Sequence, residues 1–120
     1  IGHSGGALTS ATINSRVPKL IDKSILISCP CDFEKWRKMR GERVYKMKTS
    51  PHKNISGISK DSHTIIIVGK NDINTFPILS KKYHEILISK GFKSELHIIE
   101  GEHSSSSLVD LSKIIKSYIN

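Results

Sequence analysis

The chain has 120 residues, enough for one hydrophobic core and too few for two. Only 6% of residues are aromatic, and nineteen are isoleucine, so the core must be aliphatic and strand-rich. Net charge is +8, but the fifteen lysines are scattered and no Arg-rich or aromatic-interleaved motif appears, so no nucleic-acid partner is expected. No apolar run approaches the roughly 18–20 residues of a membrane span.

The chain opens on Gly2-His3-Ser4-Gly5-Gly6, a G-x-S-x-G pattern that holds a serine on a tight strand-to-helix turn. Only Ile1 is expected to belong to a preceding strand. The alternative for Ser4 is an ordinary helix N-cap. Gly2 and Gly6 fit the close packing of such a turn. A helix is predicted from Gly5 to about Asn14, with Leu8, Ala11 and Thr12 on one side.

Ser24 to Cys29 reads as a short buried strand stopped by Pro30. Cys29 and Cys31 are the only cysteines. No second pair stands at zinc-ligand spacing, so no metal site is expected. Both are read as small buried hydrophobes with reduced thiols, in an intracellular, cytoplasmic setting.

Residues 31–62 are irregular. Asp32 is placed to cap a short helix through about Arg40 that carries Phe33 and Trp36, and Gly41 ends it. The segment is rich in Lys and Arg, with Trp36, Met39, Tyr45 and Met47 interspersed. It reads either as a solvated face or as a cap that favours anionic acyl groups. Asn54-Ile55-Ser56 matches a glycosylation sequon and is treated as chance.

Thr64 to Val68 is the clearest strand, apolar without alternation as in a parallel strand covered on both faces. Gly69-Lys70-Asn71-Asp72 forms the loop at its end. A helix is predicted from Phe76 to Ser89 on Leu79, Tyr83, Ile86 and Leu87, closed by Gly91. Ser94 to Ile99 is the next strand, followed by the loop Gly101-Glu102-His103. The last helix is predicted from Ser105 to Tyr118, N-capped within Ser104–Ser107. Its buried stripe is Leu108, Leu111, Ile114, Ile115, Tyr118 and Ile119.

Strands alternating with helices imply a parallel sheet with right-handed crossovers, an α/β fold of about three strands. Ligands gather at the C-terminal ends of such strands, and Ser4, Asp72 and His103 each follow one. Asp61, which precedes its strand, and Asp110, inside the last helix, are weaker candidates for the acid. Plain alternatives remain for the favoured residues: Asp72 as a turn residue and His103 as a surface loop histidine. His52, His63, His84 and His97 suit exposed or structural roles.

With these residues in place, the chain resembles the C-terminal half of the α/β-hydrolase family. The likeness rests on Gly2-His3-Ser4-Gly5-Gly6, Val68-Gly69-Lys70-Asn71-Asp72 and Glu100-Gly101-Glu102-His103, and covers most of the chain. It implies a serine hydrolase that cleaves carboxylic esters through an acyl-enzyme. In that frame Ser4 attacks, His103 moves the proton, Asp72 orients the imidazole, and the Gly5 N–H forms half of an oxyanion hole. His3 and Trp36 are candidate substrate contacts, and residues 31–62 a candidate cap. No cofactor is implied.

The resemblance also implies a missing N-terminal half that would supply the second oxyanion donor. The 120 residues alone are therefore expected to be marginally stable and inactive, with an unpaired sheet edge. A prolyl-oligopeptidase-like peptidase is the rival within the same family, suggested by Ser50-Pro51 and the doubled Gly5-Gly6. A non-catalytic binding module is the alternative of another class.

Overall fold

The computed structural model describes residues 1–104 and 108–119. Among them, four parallel strands form one sheet in the order β1-β2-β3-β4: Gly2–His3, Lys23–Ile27, His63–Gly69 and Lys93–Ile99. The strands alternate with α1 (Gly5–Arg16), α2 (Phe33–Met39), α3 (Pro77–Ser89) and α4 (Leu108–Ile119). The strand expected from Ile1 alone is corrected. Gly2 and His3 pair with Leu26 and Ile27, which adds β1 to the three strands read from sequence. Two residues carry too little pattern to be seen without their partner strand.

The unbroken apolar runs of β2 and β3 follow from burial on both faces. Leu26 and Ile66 point into a cluster with Ala7 and Ala11 of α1, Tyr83 and Leu87 of α3, and Ile55 and Ile58. Their neighbours Ile25, Ile27, Ile65 and Ile67 point the other way, beneath Leu111, Ile114, Ile115 and Tyr118 of α4. Ile55 and Ile58 therefore tie part of the irregular segment into the core.

α2 starts as expected: the Asp32 carboxylate accepts from Lys35 N–H at 3.1 Å. Gly41 and Gly91 follow α2 and α3 with φ of 71° and 80°, the left-handed conformation in which glycine escapes a Cβ penalty. Ser105–Ser107, most of the expected cap of α4, and the Leu108 side chain lie outside the described residues.

Three sequence expectations are corrected. Ile119 is exposed, not part of the buried stripe, because it stands past the α4 residues that meet the sheet. A Cβ on Gly6 would meet nothing within 4 Å, so its own packing does not demand glycine. Cys29 and Cys31 are joined as a buried disulfide with Cα atoms 5.2 Å apart, rather than two reduced thiols. Across the single residue Pro30 their Cα separation lies within the range a disulfide spans. No helix among the described residues is long and apolar enough to cross a membrane.

Candidate active site

Ser4 stands between β1 and α1 with φ 54° and ψ −114°, a backbone state that L-residues rarely adopt. Such a conformation costs about 1–3 kcal/mol and persists only where its surroundings over-determine it. Three contacts do so here. Ser4 N–H donates to Ile27 O at 2.8 Å, and Leu8 N–H donates to Ser4 O at 3.0 Å. A Cβ on Gly2 would overlap the Gly6 carbonyl, so only glycine lets the turn close. The hydroxyl makes no capping bond to α1, which argues against an ordinary N-cap.

Instead the Ser4 Oγ lies 2.9 Å from His103 Nε2. The other ring nitrogen, Nδ1, lies 2.9 Å from Asp72 Oδ2. Three loops, at the ends of β1, β3 and β4, thus bring the three sequence candidates into one hydrogen-bonded line. Asp61 and Asp110 have no place in that line: Asp61 precedes β3, and Asp110 sits in the first turn of α4.

The acid and histidine loops are stitched to each other. Lys70 N–H donates to Ile99 O at 2.7 Å, and Asn71 N–H to Gly101 O at 2.9 Å. The approach is close enough that a Cβ on Gly69 would sit 2.5 Å from Gly101 O. Gly69 was read only as a loop residue; it sets the spacing of both loops.

Asp72 is 1% exposed. Burial alone would raise its pKa, since it strips water from the carboxylate. Four hydrogen bonds outweigh that and hold it below the ordinary value: His103, the Thr75 hydroxyl, and the Thr75 and Asn74 N–H groups. The two backbone donors reach Oδ1 at 2.8 and 2.9 Å, forming an Asx-type turn that leads into α3. The carboxylate is therefore anionic and fixed, as a histidine-orienting group must be.

Gly5 is the first residue of α1. Its N–H belongs to the first turn, which has no intrahelical acceptor, and it stands at the positive end of the helix dipole beside Ser4. His3 is exposed, and its Nε2 donates to the His103 backbone carbonyl at 2.8 Å. It braces the histidine loop. The Trp36 Nε1–H donates to Asn74 O at 3.1 Å, so its polar edge is engaged by the acid loop.

The remaining histidines make structural contacts: His52 with Ser50, His63 with Glu95, His84 with Ser94 and His97 with Tyr118. A groove of about 650 Å³ runs beside α2, lined by Asp32, Glu34, Lys35, Lys38, Met39, Val44 and His52. A second, of about 360 Å³, joins Met39 and Arg40 to Ile73, Asn74 and Phe76 of the acid loop. Neither includes Ser4 or His103. Among the described residues no cluster of three or more His, Cys, Asp or Glu side chains is arranged to hold a metal ion.

No protein-family model matches the chain, and no curated protein matches its sequence. Solved structures do match in three dimensions. One is a Bacteroides ovatus ATCC 8483 protein assigned as a dipeptidyl aminopeptidase IV: 17% identity, TM-score 0.80, covering 98% of this chain and 18% of that one. Another is esterase PE8: 23% identity, TM-score 0.69, covering 99% of this chain and 48% of that one.

The fold is that of the α/β-hydrolases. This chain spans less than half the length of either neighbour. At such identities the likeness carries the fold and not the reaction.

Proposed function

We propose that the chain carries the catalytic residues of a serine hydrolase that cleaves carboxylic esters through an acyl-enzyme. The observation that carries this reading is the continuous Ser4–His103–Asp72 hydrogen-bond line on a strained, non-capping serine. In the first half-reaction the Ser4 Oγ attacks the ester carbonyl carbon while His103 Nε2 takes its proton. Asp72 keeps the Nδ1 proton in place and stabilises the imidazolium. The Gly5 N–H donates to the developing oxyanion. Collapse of the tetrahedral intermediate expels the alcohol, which receives the proton from His103. Water then repeats the sequence on the acyl-Ser4 ester, releasing the acid and restoring the hydroxyl.

One oxyanion donor is half of the usual pair, and each donor is worth roughly 2.7–4 kcal/mol of transition-state stabilisation. We assign the second to an N-terminal half of the same catalytic domain, since the matched esterase is about twice as long as this chain. The same division makes the isolated 120 residues marginally stable and inactive. His3 and Trp36, engaged with the two loops, act on site geometry more than on substrate.

A peptidase of the prolyl-oligopeptidase type is the second reading, favoured by the higher TM-score to the dipeptidyl aminopeptidase-like structure. Short and long acyl esters assayed beside fluorogenic peptide amides, with the full-length protein, decide between them. Ester turnover that disappears in Ser4→Ala supports the esterase. Turnover of peptides alone replaces it with the peptidase, and no turnover of either class points to a binding module.

A further inference from the structure

Thr75 is fully buried three residues beyond Asp72, and neither the sequence patterns nor the triad reading uses it. Its hydroxyl oxygen lies 2.8 Å from Asp72 Oδ2 and 3.1 Å from His103 Nδ1. We propose that Thr75 is a positioning residue whose hydroxyl bridges Asp72 and His103 and so fixes the imidazole's tautomer and orientation. The proposal rests on the hydrolase reading and adds a fourth member to its hydrogen-bond line.

The donors and acceptors around Asp72 leave the hydroxyl one arrangement. A carboxylate oxygen has two strong acceptor directions. Oδ1 uses both, on the N–H groups of Asn74 and Thr75. Oδ2 receives the His103 Nδ1–H at 2.9 Å and the Thr75 hydroxyl proton at 2.8 Å. The single hydroxyl proton goes to the carboxylate, because a bond to a charged acceptor is the stronger of the two open to it. The Thr75 oxygen then turns a lone pair toward Nδ1–H.

Two consequences follow for the imidazole. In the Nε2–H tautomer, Nδ1 would carry a lone pair facing a carboxylate oxygen and a hydroxyl lone pair. That tautomer is disfavoured, and it is the one unable to accept the Ser4 proton. Second, the hydroxyl draws charge from Oδ2 and tempers the carboxylate's pull on the imidazole proton. Thr75 and Asp72 are buried, so bulk water does not take over the bond.

The backbone N–H of Thr75 survives any substitution except proline, so side-chain variants isolate the hydroxyl. In the full-length protein Thr75→Val keeps the shape and removes the donor. It should lower kcat about tenfold with KM little changed, as expected for a group acting on the reacting histidine. Because the variant loses both the donor to Oδ2 and the acceptor facing Nδ1–H, the pH profile of kcat/KM should depart from that of the wild type. The His103 Nδ1–H proton resonance should move as one of its two acceptors is lost, whatever the reaction. Thr75→Ser should recover most of both effects.

A valine variant with the wild-type kcat, pH profile and Nδ1–H resonance overturns the proposal. So does a serine variant that falls as far as valine, since packing rather than the hydroxyl would then be at work. Should valine unsettle the fold, Thr75→Ala beside Thr75→Ser gives the same comparison. Ester turnover that persists in Ser4→Ala would sink the hydrolase reading instead, while the His103 Nδ1–H resonance still decides the role of Thr75.

Discussion

Gly69→Ala is the substitution whose outcome can be worked most fully from the geometry. The new methyl would sit 2.5 Å from Gly101 O and 2.8 Å from Glu102 O, against about 3.4 Å for an ordinary contact. Both atoms are backbone, so the relief cannot come from a side-chain rotation. The two loops must separate by about 0.9 Å. His103 follows those carbonyls directly in sequence, and its bonds to Ser4 and Asp72 are each 2.9 Å.

An added ~0.9 Å takes either bond beyond hydrogen-bonding range. A misplacement near 1 Å costs on the order of 10²-fold in rate. Overpacking of this kind also lowers stability by about 1–3 kcal/mol. Steady-state kinetics and thermal melts on the full-length Gly69→Ala protein read the two effects separately. The expected result is a kcat loss near a hundredfold in a protein that remains folded at the assay temperature. An alanine variant with unchanged kcat and unchanged melting would refute the claim that this close approach sets the position of His103.

Three further outcomes are expected. Asp72→Asn keeps an oxygen for the Asn74 and Thr75 N–H groups but presents NH₂ to His103 Nδ1, which imposes the wrong tautomer; kcat should fall about 10⁴-fold in a folded protein. The Asp72 pKa is lowered on folding, so its contribution to stability is fully present above the unfolded value near 3.8 and is lost as pH falls through the folded value. Denaturation midpoints measured from pH 6 downward should therefore fall more steeply in the wild type than in Asp72→Asn, and parallel curves would count against the lowered value. Trp36→Phe removes the Asn74 bond while keeping an aromatic ring, and should lower the melting free energy by about 1 kcal/mol; no change would mean that the indole N–H is equally well served by water.

Most of the fold was legible because β2 and β3 are buried on both faces, which leaves an apolar run no other element produces so plainly. The helix stops at Gly41 and Gly91 were legible for a similarly local reason, a left-handed backbone that favours glycine. β1 was not, since two residues become a strand only through their pairing with Leu26 and Ile27. The disulfide was hidden by proximity in sequence: a Cys-Pro-Cys run reads as a pair of small buried residues until the backbone turn is known.

At the candidate site, Ser4, Asp72 and His103 could be named from their places at strand ends. Their mutual distances depend on loop contacts that leave no sequence pattern. Thr75 illustrates the limit. No sequence pattern singled it out: its N–H closes a local turn on Asp72, but the hydroxyl's reach to His103 crosses from the β3 loop to the β4 loop. Trp36 was read as a substrate contact from its chemistry; its indole N–H is engaged by Asn74.

If Ser4 is an activated nucleophile, a fluorophosphonate probe applied to the full-length protein will leave a single covalent adduct on Ser4, located by peptide mapping. The adduct is expected to be absent from Ser4→Ala and to form far more slowly in Asp72→Asn. A folded full-length protein in which Ser4 stays unmodified would mean that the serine is not a nucleophile.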